Sequence, residues 1–276
     1  MLKFKFLPLL ILCVMLGCDL DETQEVVTLN NLVWADEFDV DGMPNPNYWN
    51  FEIGDGTEQG IPGWGNNELQ YYTNRPENVK VENGVLVITA REESFEGSSF
   101  TSARLTTQNL VEQQYGRFEA RIKVPTGKGF WPAFWLLGND CDVNPWPACG
   151  EIDIMENVGD EPTKVFGTVH GPNYNAGESI SKEYTLEGSR FDNEFHVFGV
   201  EWSPNRINFY VDDRLYQSLT SEDVDDETDG EGIWVFNDRP FYMILNVAVG
   251  GNLPGNPNED TVFPQSMVVD YVRVYK

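Results

Sequence analysis

Between Val79 and Arg91 the chain reads VKVENGVLVITAR, with apolar and polar residues alternating on both sides of Asn83-Gly84. A period of two sends successive side chains to opposite faces of a strand. Asn-Gly accepts the positive φ values of a two-residue turn, so the segment predicts a hairpin. YGRFEARIKVP, GFWPAFWLLG, KVFGTVHG, FHVFGVEWS, RINFYVDDRLYQS, FYMILNVAVGG and MVVDYVRVYK repeat the style, set apart by clusters of Gly, Pro, Asn and Asp. Asp212-Asp213 falls at a second turn. No long stretch carries helical periodicity, and the acidic run SEDVDDETDGE over 221–231 is expected to be a solvated loop. Strands without a βαβ rhythm imply an all-β antiparallel sandwich. Residues 31–276 show neither internal repeat nor linker and are read as one domain.

One strand breaks the pattern. In CGEIDIMENVG, from Cys149 to Gly159, the polar positions of a buried-looking strand are acids. Glu151 and Asp153 share a face; Glu156 lies an odd number of steps away, and strict alternation points it into the core. One extra residue near Met155, a β-bulge, would return it to the face of the other two. Like charges on one face must share protons or be offset, at a cost in stability. With a rise of about 3.3 Å per residue, the two Glu Cα atoms stand about 13 Å apart. Only converging side chains on a curved sheet bring their carboxyls near the ~5–5.5 Å that double-displacement acetal cleavage requires. An exposed acidic strand face is the competing reading.

Composition narrows the partners. A formal net charge of −27 disfavours nucleic-acid phosphates and anionic membrane surfaces. Aromatic residues reach 13%, with eight Trp, which either fill a core or offer platforms to a flat ligand. Residues 1–18, MLKFKFLPLLILCVMLGC, pair Lys3 and Lys5 with an apolar run too short to span a membrane comfortably, and read as a secretory signal. The end, MLGC, resembles a bacterial lipoprotein processing site, implying cleavage before Cys18 and lipid on its sulfur. Ordinary signal-peptidase cleavage and an uncleaved anchor are the alternatives. Residues 19–30 read as an acidic tether, so the protein is expected to be exported and held at the outer membrane or cell surface, touching membrane only through the lipid. Cys141 and Cys149 flank DVNPWPA in an exported chain, which favours a disulfide. Zinc is disfavoured, because only His170 and His196 exist and neither stands at ligand spacing from the cysteines.

GEIDIMENVG, preceded by WGNNELQYYT and GFWPAFWLLG and followed by GTVHG and LNVAVGGNLPG, resembles the laminarinases of glycoside hydrolase family 16 across nearly all of residues 31–276. The resemblance implies a β-jelly-roll with a substrate cleft across its concave sheet, and a monomeric retaining endo-β-1,3-glucanase. Two residues between Asp153 and Glu156 match the laminarinase side of the family; its strict mixed-linkage lichenases carry one. Carried over by position, Glu151 is the nucleophile, Glu156 the general acid/base with a raised pKa, and Asp153 shares a proton with Glu151. Trp131 and Trp135 line the cleft, with core packing as the alternative. Trp64 borders it, Asn67 and Glu68 meet sugar hydroxyls, and Arg104 reaches the minus subsites unless it forms an exposed salt bridge. His170 stands near the acid/base, bonding Glu156 or the sugar, and Asn246 is a cleft asparagine. His196 is read as structural, and Trp202 and Trp234 as packing or rim. No catalytic cofactor is implied. A structural calcium is implied at Glu37, Gly84 and Asp270, with an empty position as the alternative. The same chemistry on mixed-linkage glucan or an algal galactan stays open, although no basic cluster suits a sulfated polymer. A non-catalytic β-glucan-binding protein and a structural surface lipoprotein are the readings from other classes; binding-only relatives generally lose the glutamates that stand here.

Overall fold

The computed structural model describes residues 29–276. The signal, Cys18 and most of the tether lie outside the described residues. The described chain is a β-jelly-roll sandwich of two sheets, one of ten strands and one of eight. The concave sheet runs Ile180–Thr185, Lys164–His170, Glu151–Glu156, Phe130–Gly138, Phe241–Val249, Arg104–Thr106 and Asn50–Phe51, with Glu112–Gln113 pairing beside Phe241–Val249. The other runs Arg214–Thr220, Arg206–Val211, His196–Ser203, Gly116–Lys123, Gln265–Tyr275, Val85–Phe95, Ser98–Ser102 and Gln70–Tyr72. Leu32–Asp36 and Val79–Glu82 attach to Gln265–Tyr275 and Val85–Phe95.

Alternation builds the core between the sheets. Phe118, Ala120 and Ile122 from one sheet face Phe134, Leu136, Leu245 and Val247 from the other, all buried. Every residue of Phe241–Val249 is buried, because its other face is covered by cleft side chains. Trp202 belongs to this core and donates its indole N–H to the Phe236 carbonyl at 2.8 Å. His196 is also buried, 2.6 Å from Asp212 Oδ2. Both expected turns form, with positive φ at Asn83, Gly84, Asp212 and Asp213.

Two details differ from the sequence reading. Gln70–Tyr72 pairs with Ser98–Ser102 in parallel, against the antiparallel expectation. The acidic run expected to be a loop begins with a helix, Ser221–Glu227. Thr220 caps it in a reciprocal box with Asp223, and Glu222 and Asp223 put negative charge at the positive end of the helix dipole.

Candidate active site

Glu151–Glu156 lies inside the concave sheet between Phe130–Gly138 and Lys164–His170. Phe134 pairs with Met155 and Trp135 with Asp153, so Ile154 has no counterpart: this is the bulge. The extra residue lets both Ile154 and Met155 enter the core while Glu156 returns to the concave face. Just before the strand, Gly150 has φ +80°, and a Cβ there would stand 3.0 Å from Phe241 Cζ and Val235 Cγ2. Gly150→Ala combines backbone strain with overpacking, and is expected to lower unfolding free energy by about 2–5 kcal/mol in denaturant titration.

The three acids are not equivalent. Asp153 is buried and its carboxyl is held well above the ordinary carboxylate value, first by desolvation, then by the charges of Glu151 and Glu156. Its proton serves a hydrogen bond with Glu151. Glu156 is also pushed up, chiefly by burial and further by Glu151, against the opposing influence of His170. Trp131 donates its indole N–H to Glu156 Oε1 at 2.9 Å, and the Thr168 hydroxyl stands 3.4 Å from Oε2.

His170 does not hydrogen-bond Glu156. The antiparallel register sets it directly across from Glu151, with Phe166 opposite Glu156. Its Nε2 lies 3.1 Å from Asp153 Oδ2 and 3.7 Å from Glu151 Oε1. The Ala176 backbone N–H donates to Nδ1 at 3.2 Å, so Nδ1 accepts and the Nε2 proton faces the acids. Among the described residues, Glu151, Asp153 and His170 offer ligand atoms within 4.8 Å of one another, close enough to share an ion.

A second polar network occupies the neighbouring strands. Trp135 donates to Asn246 Oδ1 at 2.8 Å, Asn246 Nδ2 to the Tyr72 hydroxyl at 3.1 Å, and that hydroxyl to Glu68 Oε2 at 3.2 Å. Gln70 Nε2 adds a bond of 2.7 Å to the same oxygen. Burial raises the Glu68 carboxyl, with Arg104 opposing. Arg104 is ion-paired with Glu52 in a buried setting rather than an exposed one. Its guanidinium sits 4.6 Å from the Trp64 ring and 4.8 Å from the Trp135 ring, a cation–π sandwich. Trp64 is thereby buried beneath Arg104, donating to the Gly54 carbonyl, whereas Trp131 and Trp135 are half-buried. Asn67 bonds Asn252 at 2.8 Å and ties two loops together.

Sequence reasoning missed Gln70, Tyr72 and Trp146. The first two follow Glu68 at steps of two and were legible as one strand face. Trp146, inside the disulfide loop, donates its indole N–H to Glu151 Oε2 at 2.8 Å. A loop tryptophan carries no periodic signal.

The carboxylates expected to hold calcium are already engaged. Arg273 grips Glu37 through bonds of 2.8 and 2.9 Å, and Arg121 meets Asp270 at 2.6 Å. Gly84 occupies the hairpin turn. Each of the two carboxylates is thus paired with a guanidinium.

The family model described as glycosyl hydrolases family 16 matches residues 66–273. The beta-glucanase of Rhodothermus marinus is 43% identical over 274 residues, 98% of this chain and 92% of that protein. Glucan endo-1,3-beta-glucosidase A1 of Niallia circulans is 38% identical over 267 residues, 92% of this chain but 39% of that longer protein. The solved laminarinase catalytic domain of Thermotoga maritima MSB8 shares 53% identity and a TM-score of 0.83, covering 89% of this chain and 98% of its own. By sequence, by fold and by the bulged strand that gathers its acids, the chain belongs to glycoside hydrolase family 16.

Proposed function

We propose that this hydrolase cuts β-1,3-glucan internally by double displacement with retention. The observation that carries the reading is the bulged strand, which gathers on one concave face two glutamates and an aspartic acid whose carboxyl is held by burial well above its ordinary value. Glu156, kept protonated by burial, gives its proton to the glycosidic oxygen while Glu151 attacks the anomeric carbon and the leaving sugar departs. Esterification then removes the Glu151 charge, one of the influences that raise Glu156. The acidity of Glu156 shifts in the direction a base needs, and it takes a proton from the water that attacks the glycosyl ester. Asp153 holds the nucleophile's oxygen through its proton. Indole faces at Trp131 and Trp135 suit flat pyranose rings, and no catalytic cofactor enters these steps.

The test is product analysis with laminarin, mixed-linkage β-glucan, agarose and carrageenan offered in parallel. Short β-1,3 oligosaccharides, released first as the β anomer, are expected from laminarin. Cleavage of mixed-linkage glucan alone would move the substrate to the alternative, and an α anomer formed first would sink the mechanism. Export and lipid attachment at Cys18 belong to the same reading, supported by the sequence of residues 1–18. Labelled palmitate is expected on the wild type and not on Cys18→Ser; equal labelling would refute the anchor.

A further inference from the structure

The catalytic strand supplies Glu151 with Asp153 as a donor, and the facing strand supplies His170, yet the nucleophile also accepts a hydrogen bond from outside the sheet. Trp146 Nε1 lies 2.8 Å from Glu151 Oε2. We propose that Trp146 is a positioning residue for the nucleophile, and that the loop closed by Cys141 and Cys149 holds it there. This rests on the reading of Glu151 as nucleophile given above.

The Trp146 side chain is not fixed by burial, since the residue is 43% exposed. An exposed side chain samples several rotamers unless something restrains it. Restraint comes from the loop. The disulfide joins Cys141 to Cys149 with 5.0 Å between Cα atoms. Arg239 Nη1 bonds both Asp140 oxygens at 2.7 and 2.8 Å and reaches the Ala148 carbonyl at 3.3 Å, clasping the loop at both ends. The indole also packs at 48° to the His170 ring, with centroids 5.8 Å apart. Three groups therefore surround the Glu151 carboxylate: Asp153 along the strand, His170 across the sheet and Trp146 from the loop. The indole N–H holds Oε2 from the loop side. The same N–H can go on donating to the ester carbonyl of the intermediate and polarise it toward water.

The test combines indole NMR with kinetics. The eight tryptophans give eight indole N–H cross-peaks, and the Trp146 peak is identified by its loss in Trp146→Phe. It is expected downfield in the wild type and to move upfield in Glu151→Gln and in the double variant Cys141→Ser/Cys149→Ser. The other peaks, staying in place, report that each variant is folded. Trp146→Phe keeps an aromatic ring but removes the donor; kcat on laminarin is expected to fall about tenfold, the low end for a hydrogen bond to a charged group, with KM and Tm unchanged. A Trp146 peak indifferent to Glu151→Gln overturns the proposal, as does an undiminished kcat. A change confined to KM would make Trp146 a sugar platform and overturn it too. If the wild type cut no glucan, the function reading would fall, while the NMR comparison would still decide the contact.

Discussion

Glu151→Gln is expected to abolish turnover while leaving the protein folded. Amide for carboxylate preserves shape but removes the negative charge that makes the oxygen nucleophilic enough to displace the leaving sugar. Removing an enzyme's nucleophile costs about 10⁴-fold or more in kcat, and polysaccharide offers no alternative path of comparable rate. KM should change little, because the proposed function places the sugar contacts mainly at Trp131, Trp135 and their neighbours. Stability should rise, since the charge that raises both the Asp153 and the Glu156 carboxyls disappears. Initial rates on laminarin together with Tm check both halves. Residual kcat within about a hundredfold of wild type would exclude Glu151 as nucleophile, because positioning roles alone rarely exceed that.

Glu156→Gln is expected to cost about 10²–10⁴-fold in kcat, the usual range for general acid/base catalysis. The pH profile is more diagnostic than the size of the loss. In the proposed mechanism Glu156 works first as an acid, and burial holds its carboxyl above the ordinary value. In the wild type kcat/KM should therefore fall as pH rises through that raised value, while the glutamine variant should lack this alkaline limb. Stability carries the matching sign. A folded-state value above the unfolded one means that the native protein keeps a proton the unfolded chain releases. Wild-type stability is then lost as pH climbs from the unfolded carboxylate range through the raised value. Glu156→Gln should melt higher than wild type at about pH 8 and alike at about pH 4, below the unfolded glutamate value of about 4.3. An alkaline limb that survives the substitution would assign the acid to another group.

Much of this was readable before any coordinates. Period two gave the strands, Asn83-Gly84 gave the hairpin, and the odd spacing of Glu156 required the bulge. Glu68, Gln70 and Tyr72 also obey period two, but of the three only Glu68 carries a charge that marks it in the sequence. The helix Ser221–Glu227 was hidden by its acidity and shortness, although its capping residues Thr220 and Asp223 stand at the right spacing. What alternation cannot convey is register and long-range pairing. Which acid His170 faces depends on how two strands slide against each other, and the grip of Arg273 on Glu37 joins opposite ends of the chain. Trp146 depends on a loop with no period at all.

The bulge also makes the catalytic strand unusually tolerant of a change in length. Deleting one residue from a strand ordinarily inverts every side chain beyond the gap. Here, loss of the codon for Met155 leaves EIDIE, a strictly alternating run whose three acids still share a face, with Asn157 and Val158 continuing in phase. Loss of Ile154 instead has the same effect on the phase. In-frame indels that would scramble any neighbouring strand therefore interconvert two working lengths of this one, an opening through which mutation can vary acid spacing without rebuilding the sandwich.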